Sequence, residues 1–296
     1  MSTSNCLELN CKWISFRTGR RRIGEGGSSI DTGIFPKKWK CAKVLPLFKQ
    51  GDHRDLNNYL PISIIPVLAK IFERIIYDQA YAYLSDNGLL SNCQLGFRSL
   101  HSTVTALLEA TNDWAYNIDQ GDVNAVVFLD LKKAFDTVDH NILLSKLNAY
   151  GFGSTASTWF KSYLKNRSQR CFVDGHLSEI SYLSCGILQG TILGPLLFLI
   201  YKKNLPNCLA GSKAHMYAND THLKFGSNNI TKIENHLNVD LANVNEWSIA
   251  NKLTLNHSKT EFMLIGSRQR LTRLPNAPTV SMNGAPLKQV PHSKSL

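Results

Sequence analysis

The chain has 296 residues, 43% of them apolar, which is enough for one large domain or two modest ones with a buried core. Lysine and arginine outnumber aspartate and glutamate 33 to 22, a formal charge of +11 that suits a protein seated on phosphate backbones. The seven cysteines (Cys6, Cys11, Cys41, Cys93, Cys171, Cys185 and Cys208) include no Cys-x-x-Cys pair and no partnering His cluster, and no secretory signal or membrane-length apolar run occurs, so a zinc site, a disulfide framework, secretion and a membrane partner are all set aside in favour of an intracellular setting, cytoplasmic or nuclear.

In chain order, residues 1 to 33 mix Ser, Gly and the basic run Arg17 to Arg22 without apolar periodicity and are expected to be a disordered leader. Short extended stretches follow from Phe35 to Leu47, then a turn at Asn57, Asn58 and Pro61, then a helix from Val67 to Leu84 closed by Asn87-Gly88. Ser102 is a good N-cap for a second helix to about Ile118, with Val104, Leu107, Leu108, Thr111, Trp114 and Ala115 on one side. The continuous apolar segment within Asn124 to Leu131 reads as a buried strand that ends in Asp130.

Asp139 is placed to cap a helix running to Tyr150, and another helix occupies Thr155 to Leu164 before extended stretches at Arg170 to Val173 and Ile180 to Cys185. An apolar helix, about Leu193 to Lys203, follows Gly190. His215 to Tyr217 and His222 to Phe225 form a hairpin whose tip is Ala218-Asn219-Asp220-Thr221. An amphipathic helix from Ile230 to Ile249 and a final strand from Glu261 to Ile265 complete the pattern. Strands interleaved with helices, two of them ending in acids, imply an α+β fold with one sheet face open to substrate.

Two-metal phosphoryl transfer needs carboxylates clustered on rigid elements, so that two ions ~3.5 to 4 Å apart hold the attacking and leaving oxygens. Asp130 at a strand end and Asp220 at a hairpin tip are candidates for such a pair. Isolated acids at these places also serve as turn formers or helix caps, and their spacing alone leaves both readings open.

Three segments in this order resemble the reverse transcriptases of non-LTR retrotransposons, the jockey-like and chicken-repeat-like elements in particular. They are Phe128-Leu129-Asp130-Leu131-Lys132-Lys133-Ala134-Phe135-Asp136, Gly186-Ile187-Leu188-Gln189-Gly190-Thr191-Ile192-Leu193-Gly194-Pro195, and Tyr217-Ala218-Asn219-Asp220. Tyr59-Leu60-Pro61-Ile62-Ser63, Gln94-Leu95-Gly96-Phe97-Arg98 and Asn251-Lys252-Leu253-Thr254-Leu255-Asn256 extend the likeness from about Phe35 to the C-terminus.

The resemblance implies a right-hand polymerase: fingers over 34–122, a palm with an antiparallel sheet backed by helices over 123–268, and a truncated thumb connection over 269–296. It implies an RNA-directed DNA polymerase that uses two magnesium ions, with manganese as the alternative, to join deoxynucleoside triphosphates to a DNA primer on an RNA template. Asp130, the carbonyl of Leu131 and Asp220 match the metal ligands. Phe135 matches the aromatic gate that excludes a ribose 2′-hydroxyl. Gln189 and Gly190 match a turn approached by nucleotide and template, Arg98 and Lys49 match fingers residues that face phosphate, and Lys259 matches a proposed proton donor to leaving pyrophosphate.

The chain also departs from the family. Asn219 stands where the family has the first of two adjacent acids at the hairpin tip, leaving a degenerate ligand, and magnesium prefers carboxylates. Leu60 replaces an arginine, Leu188 a proline, and Lys203-Asn204 an Asn-Asp pair. The expectation is a polymerase of weakened or lost activity, without a thumb or an N-terminal endonuclease. The alternative is a non-catalytic nucleic-acid-binding pseudoenzyme that holds RNA–DNA or single strands by phosphate contacts. Phe135 argues against an RNA polymerase, and the retroelement segments argue against a telomerase.

Overall fold

The computed structural model describes residues 29, 32–274 and 276–293. Most of the expected leader, with Cys6, Cys11 and the run Arg17 to Arg22, lies outside the described residues, as do 294–296. The fold is mixed α and β and divides into two compact units, one made of Met1–Leu89 with His140–Gly194, the other of Leu90–Asp139 with Pro195–Leu296. Each unit therefore uses two separate stretches of chain.

The first unit is built on a sheet of β1 (Cys41–Phe48), β2 (Tyr59–Ile64), β4 (Arg167–Val173), β5 (His176–Leu177) and β6 (Ser181–Leu183). β1 pairs antiparallel with β2 and parallel with β4, and β4 also carries β5 and β6. Helix α1 (Val67–Asp86) buries Ala69, Phe72, Glu73, Ile76, Ala80 and Leu84, the three-and-four spacing of one helical face. The amides of Gly88 and Leu89 return to the carbonyls of Ser85 and Leu84, which closes α1 where Asn87-Gly88 was expected to close it.

Helices α3 (His140–Ala149) and α4 (Ser154–Leu164) complete this unit, and its centre is aromatic. Phe35 meets Trp159 and Tyr163 edge to face at centroid distances of 5.6 and 5.1 Å. Glu73 is fully buried among these rings. It accepts the Tyr163 hydroxyl at 2.9 Å and the amides of Ile192 and Leu193 at 2.8 and 3.3 Å. Burial raises its pKa, while Tyr163, Arg167 and the two amides pull it back down.

The second unit holds a five-stranded sheet in the order β12-β9-β3-β8-β7. Its strands are β3 (Val123–Leu129), β7 (Lys213–Tyr217), β8 (Asp220–Ser227), β9 (Glu261–Ile265) and β12 (Lys288–Gln289). Every residue of β3 is buried, as its continuous apolar run predicts for a central strand. Helix α6 (Ile230–Ala250) lays Ile233, Leu237, Leu241 and Val244 onto this core. Helix α5 (Leu193–Lys202) runs into the unit from its first turn, and α7 (Arg268–Thr272) follows β9.

The structure adds a burial pattern to one expected element and corrects another. Helix α2 (Thr103–Asp119) does start from Ser102 through a capping box with Thr105. Its inner face is not the large apolar side, however: Val104, Leu107 and Leu108 are exposed, while Ala106 and Ala110 are buried. Small residues let a helix approach a sheet closely, so the alanines mark its inner face. Second, Glu261 to Ile265 is not the final strand. The short strands β10 (Ser281–Met282) and β11 (Ala285–Pro286) pair with each other and β12 with β9, and Val280, Met282 and Leu287 join the core of this unit.

Candidate active site

Antiparallel pairing brings the two expected carboxylates together. The β3–β8 register places Phe128 opposite His222 and Leu129 opposite Thr221, so the next positions along the ladder are Asp130 and Asp220. The hairpin is tighter than its sequence suggested. Tyr217 pairs with Asp220, leaving Ala218 and Asn219 as the only turn residues, with Ala218 at φ +56°. A positive φ at the first of two central residues fits the hand of a twisted hairpin. It also moves Asp220 from the tip into the strand, where its direction is fixed.

The segment Gln94–Gly96 lies across this turn. The Gln94 amide oxygen accepts the N–H groups of Ala218 and Gly96 at 3.1 and 3.0 Å, and its nitrogen donates to the Ala218 carbonyl at 3.3 Å. A Cβ at Gly96 would collide with the Ala218 amide nitrogen, so only glycine fits there. From below, the buried Lys202 ammonium donates to the Asn219 carbonyl at 2.7 Å and reaches the carbonyls of Ala218 and Asp220 at 3.4 Å. Burial pushes the Lys202 pKa down to about 7, and the nearby charge of Asp220 works against that shift.

Asp130 is oriented from a third direction. Its Oδ2 accepts the Asn256 side-chain N–H at 2.7 Å, its carbonyl accepts the Asn256 backbone N–H at 2.8 Å, and its amide donates to the Thr260 hydroxyl at 3.3 Å. Leu131, whose side chain is buried, bridges to Leu255. Asp220 is half-buried and its pKa is raised, first by burial and then by the neighbouring Asp130 carboxylate, against the pull of Lys202. Two acids that repel each other at one end of a sheet form a strained arrangement that a cation would relieve.

Asn219 points its side-chain nitrogen at Oδ1 of Asp220, 3.2 Å away. Asn256, Gln94 and Lys202 escaped the sequence reading as functional residues, although Gln94 and Asn256 lie inside the family-like segments. For Lys202 the signal was a lysine at the end of an apolar run.

The other expected residues divide between the units. Phe135 is half-buried in the second unit, stacked on Phe198 at 4.5 Å. Lys259 is exposed on the turn between Asn256 and Thr260, both of which touch Asp130. The Arg98 guanidinium donates to the carbonyls of Ser91 and Gln94 at 2.9 and 3.3 Å and so braces the segment that crosses the hairpin. Asp139 is paired with Lys252 at 2.7 Å.

Gln189, Gly190 and Lys49 belong to the first unit. There the Gln189 carbonyl accepts the Ser63 amide at 2.8 Å, and Gly190, at φ +98°, leaves no room for a side chain against the Ser63 carbonyl. Lys49 is exposed just past β1. Among the described residues no three His, Cys, Asp or Glu side chains converge as a metal site, and no helix is long and apolar enough to cross a membrane.

A family model of reverse transcriptase (RNA-dependent DNA polymerase) matches residues 48–290. The chain belongs to the reverse transcriptase family. Similar proteins include the RNA-directed DNA polymerase from mobile element jockey of Drosophila melanogaster, 29% identical over 265 residues that make up 87% of this chain and 28% of that protein. The probable RNA-directed DNA polymerase from transposon BS of the same organism is 31% identical over 77% of this chain and 26% of its own length. The resemblance to non-LTR elements is thereby borne out, and the chain spans under a third of these relatives.

Among solved structures, apo telomerase of Candida tropicalis truncated from its C-terminal domain aligns with a TM-score of 0.51 at 12% identity, over 79% of this reverse transcriptase chain and 52% of that one. Telomerase of Candida albicans in complex with a fragment of telomeric RNA aligns at 0.52 and 12%, over 84% and 45%. At such identities the likeness shows the fold alone.

Proposed function

We propose that Asp130 and Asp220 form the cation-binding centre of an RNA-directed DNA polymerase that extends a DNA 3′ end on an RNA template, with activity strongly reduced by Asn219. The observation that carries this reading is the ladder register that sets the two carboxylates opposite each other at the open end of β3 and β8. Reverse transcriptases in general use divalent metal ions. The two carboxylates and the Leu131 carbonyl offer oxygens only, which suits magnesium or manganese. Such an ion, when bound, would supply charge neutralisation for the phosphoryl group under transfer.

The fit is incomplete at Asn219, whose nitrogen occupies an oxygen of Asp220 that a cation needs. A flip of that amide offers its carbonyl oxygen instead, a weaker ligand than the carboxylate it replaces. With two carboxylates rather than three, the site favours one bound ion over two.

In this reading Asn256 fixes the rotamer of Asp130, and the Phe135 ring, held flat against Phe198, excludes a 2′-hydroxyl. Within the first unit, the Gln189-Gly190 turn offers bare backbone and Lys49 a positive charge to nucleic acid; within the second, Arg98 supplies positive charge toward phosphate and the Lys259 ammonium gives a proton to an oxygen of departing pyrophosphate. We read the second unit, with the carboxylate-bearing sheet, as the palm and the first as the fingers, each drawing on both halves of the ranges 34–122 and 123–268.

The test is single-nucleotide extension of a DNA primer annealed to RNA, with magnesium or manganese, alongside binding of the same hybrid. The expected result is weak extension that Asp130→Ala abolishes while hybrid binding persists. Extension by Asp130→Ala equal to that of the unaltered chain would overturn the proposal. The position of the Asn219 nitrogen favours one other reading, a nucleic-acid-binding protein without catalysis. Salt-dependent hybrid binding with no extension under either ion, even in Asn219→Asp, would select it.

A further inference from the structure

The hairpin of the candidate site rests on an internal cation. Lys202 is fully buried, and its Nζ has three backbone carbonyls within reach, those of Ala218, Asn219 and Asp220 at 3.4, 2.7 and 3.4 Å. Three acceptors can take all three protons of an ammonium, whereas a neutral amine has only two to give, so the three carbonyls favour the charged form against the burial that works the other way. The carbonyls belong to the two turn residues and to the first residue of β8, which means Lys202 grips the backbone from which the Asn219 and Asp220 side chains project. Among the described residues no carboxylate touches this ammonium directly, and Asp220 is the acid that feels its charge.

We propose that Lys202 is the built-in counter-cation of the Asp130–Asp220 pair, a positioning residue that pins the hairpin and competes electrostatically with the divalent ion the pair would hold. The inference rests on the reading of that pair as a cation site and adds what sets its affinity. Two carboxylates beside one fixed ammonium carry a net single negative charge, and Asn219 adds none. An incoming divalent ion therefore meets repulsion from beneath the turn as well as attraction from its two ligands.

The test is binding of Mn2+ alone to the full chain, followed by electron paramagnetic resonance of the free ion, for the unaltered protein, Lys202→Gln, Lys202→Met and Asp130→Ala. Lys202→Gln keeps side-chain N–H donors for the hairpin carbonyls but removes the charge. It is expected to bind Mn2+ ~10-fold more tightly, as the loss of one like charge at close range within a partly buried site implies. Lys202→Met should tighten binding as well, by less if the unpinned turn loosens.

A merely structural lysine would not tighten cation binding when replaced. Affinity in Lys202→Gln unchanged or weaker than in the unaltered chain, with the cooperative thermal transition retained, overturns the inference. So does loss of that transition in both Lys202 variants, which makes the residue a structural group only. If the unaltered chain binds Mn2+ and Asp130→Ala does not, but Lys202→Gln changes nothing, the inference alone fails. If no variant binds and Asp130→Ala matches the unaltered chain, the cation-site reading fails and the inference with it.

Discussion

Two buried carboxylate sites of this molecule are built on opposite plans. Glu73 in the first unit is fully enclosed, and three donors from Tyr163, Ile192 and Leu193 satisfy both of its oxygens. Asp220 in the second unit is half-buried, faces another acid along the ladder, and meets only the Asn219 amide, itself a turn residue. Both acids have raised pKa values, with burial as the largest cause. A perturbed carboxylate is therefore not a functional signal by itself. What separates the two is that both oxygens of Glu73 are hydrogen-bonded inside a closed core, whereas Asp220 is half-exposed beside a second acid, with Lys202 as the nearby cation.

The contrast can be broken first at Glu73. Truncation in Glu73→Ala should destabilise the protein by ~3 to 5 kcal/mol, because the Tyr163 hydroxyl and two amides lose their acceptor and the Arg167 charge loses its counter-charge inside a closed core. Denaturant unfolding measures this, and a loss below about 1 kcal/mol would show that the cap on the start of α5 is dispensable.

A smaller effect is expected from acid beneath the candidate site. His222 has its pKa lowered from 6.5 to about 4, by burial first and then by His215 and Lys202. The unfolded chain binds this proton more readily, so the stability linked to a neutral His222 is present above pH 6.5 and is lost as pH falls toward 4, by about 2 to 3 kcal/mol. In His222→Phe that part of the acid loss should disappear from a series of thermal melts. An unchanged acid limb would place the titrating group elsewhere.

The smallest stability change should come from Asp220→Asn, and its sign is the informative part. Removing a carboxylate that is desolvated and repelled by Asp130 should leave the protein as stable as before or up to ~1 kcal/mol more stable, while cation binding is lost. Destabilisation comparable to that of Glu73→Ala would mean that Asp220 is a structural acid too, and the comparison would collapse.

Much of this arrangement was legible in the sequence where the signal was local. The apolar run of β3, the cap at Ser102 and the Asn87-Gly88 closure of α1 each depend on neighbours within a few residues, and the structure has them at or within a few positions of their expected places. Asp130 and Asp220 were singled out because strand ends and hairpin tips expose carboxylates, and the family-like segments gave the pair its chemical meaning.

What escaped was the long-range support. Asn256 reaches Asp130 across 126 positions, and Gln94 reaches Ala218 across 124, separations over which no periodicity carries information. Lys202 follows an apolar run and fell inside the helix expected from about Leu193 to Lys203, where nothing local marks it as a hairpin contact. The inner face of α2 was not legible because leucines outweigh alanines in any hydrophobic count, although the buried residues there are Ala106 and Ala110. The two-residue strands β10, β11 and β12 are too short for alternation to appear.

The central claim is that the site is intact except for one missing charge at the hairpin tip. Single-nucleotide extension of a DNA primer on an RNA template, comparing the unaltered chain with Asn219→Asp in magnesium, tests it most directly. A carboxylate that touches the ion should restore at least the ~10 to 100-fold that changes to residues merely supporting metal ligands are worth, so Asn219→Asp should extend the primer at a rate at least that much higher. Equal rates for the two chains, with both lost in Asp130→Ala, would contradict the claim by showing that Asn219 serves as well as the acid it replaces.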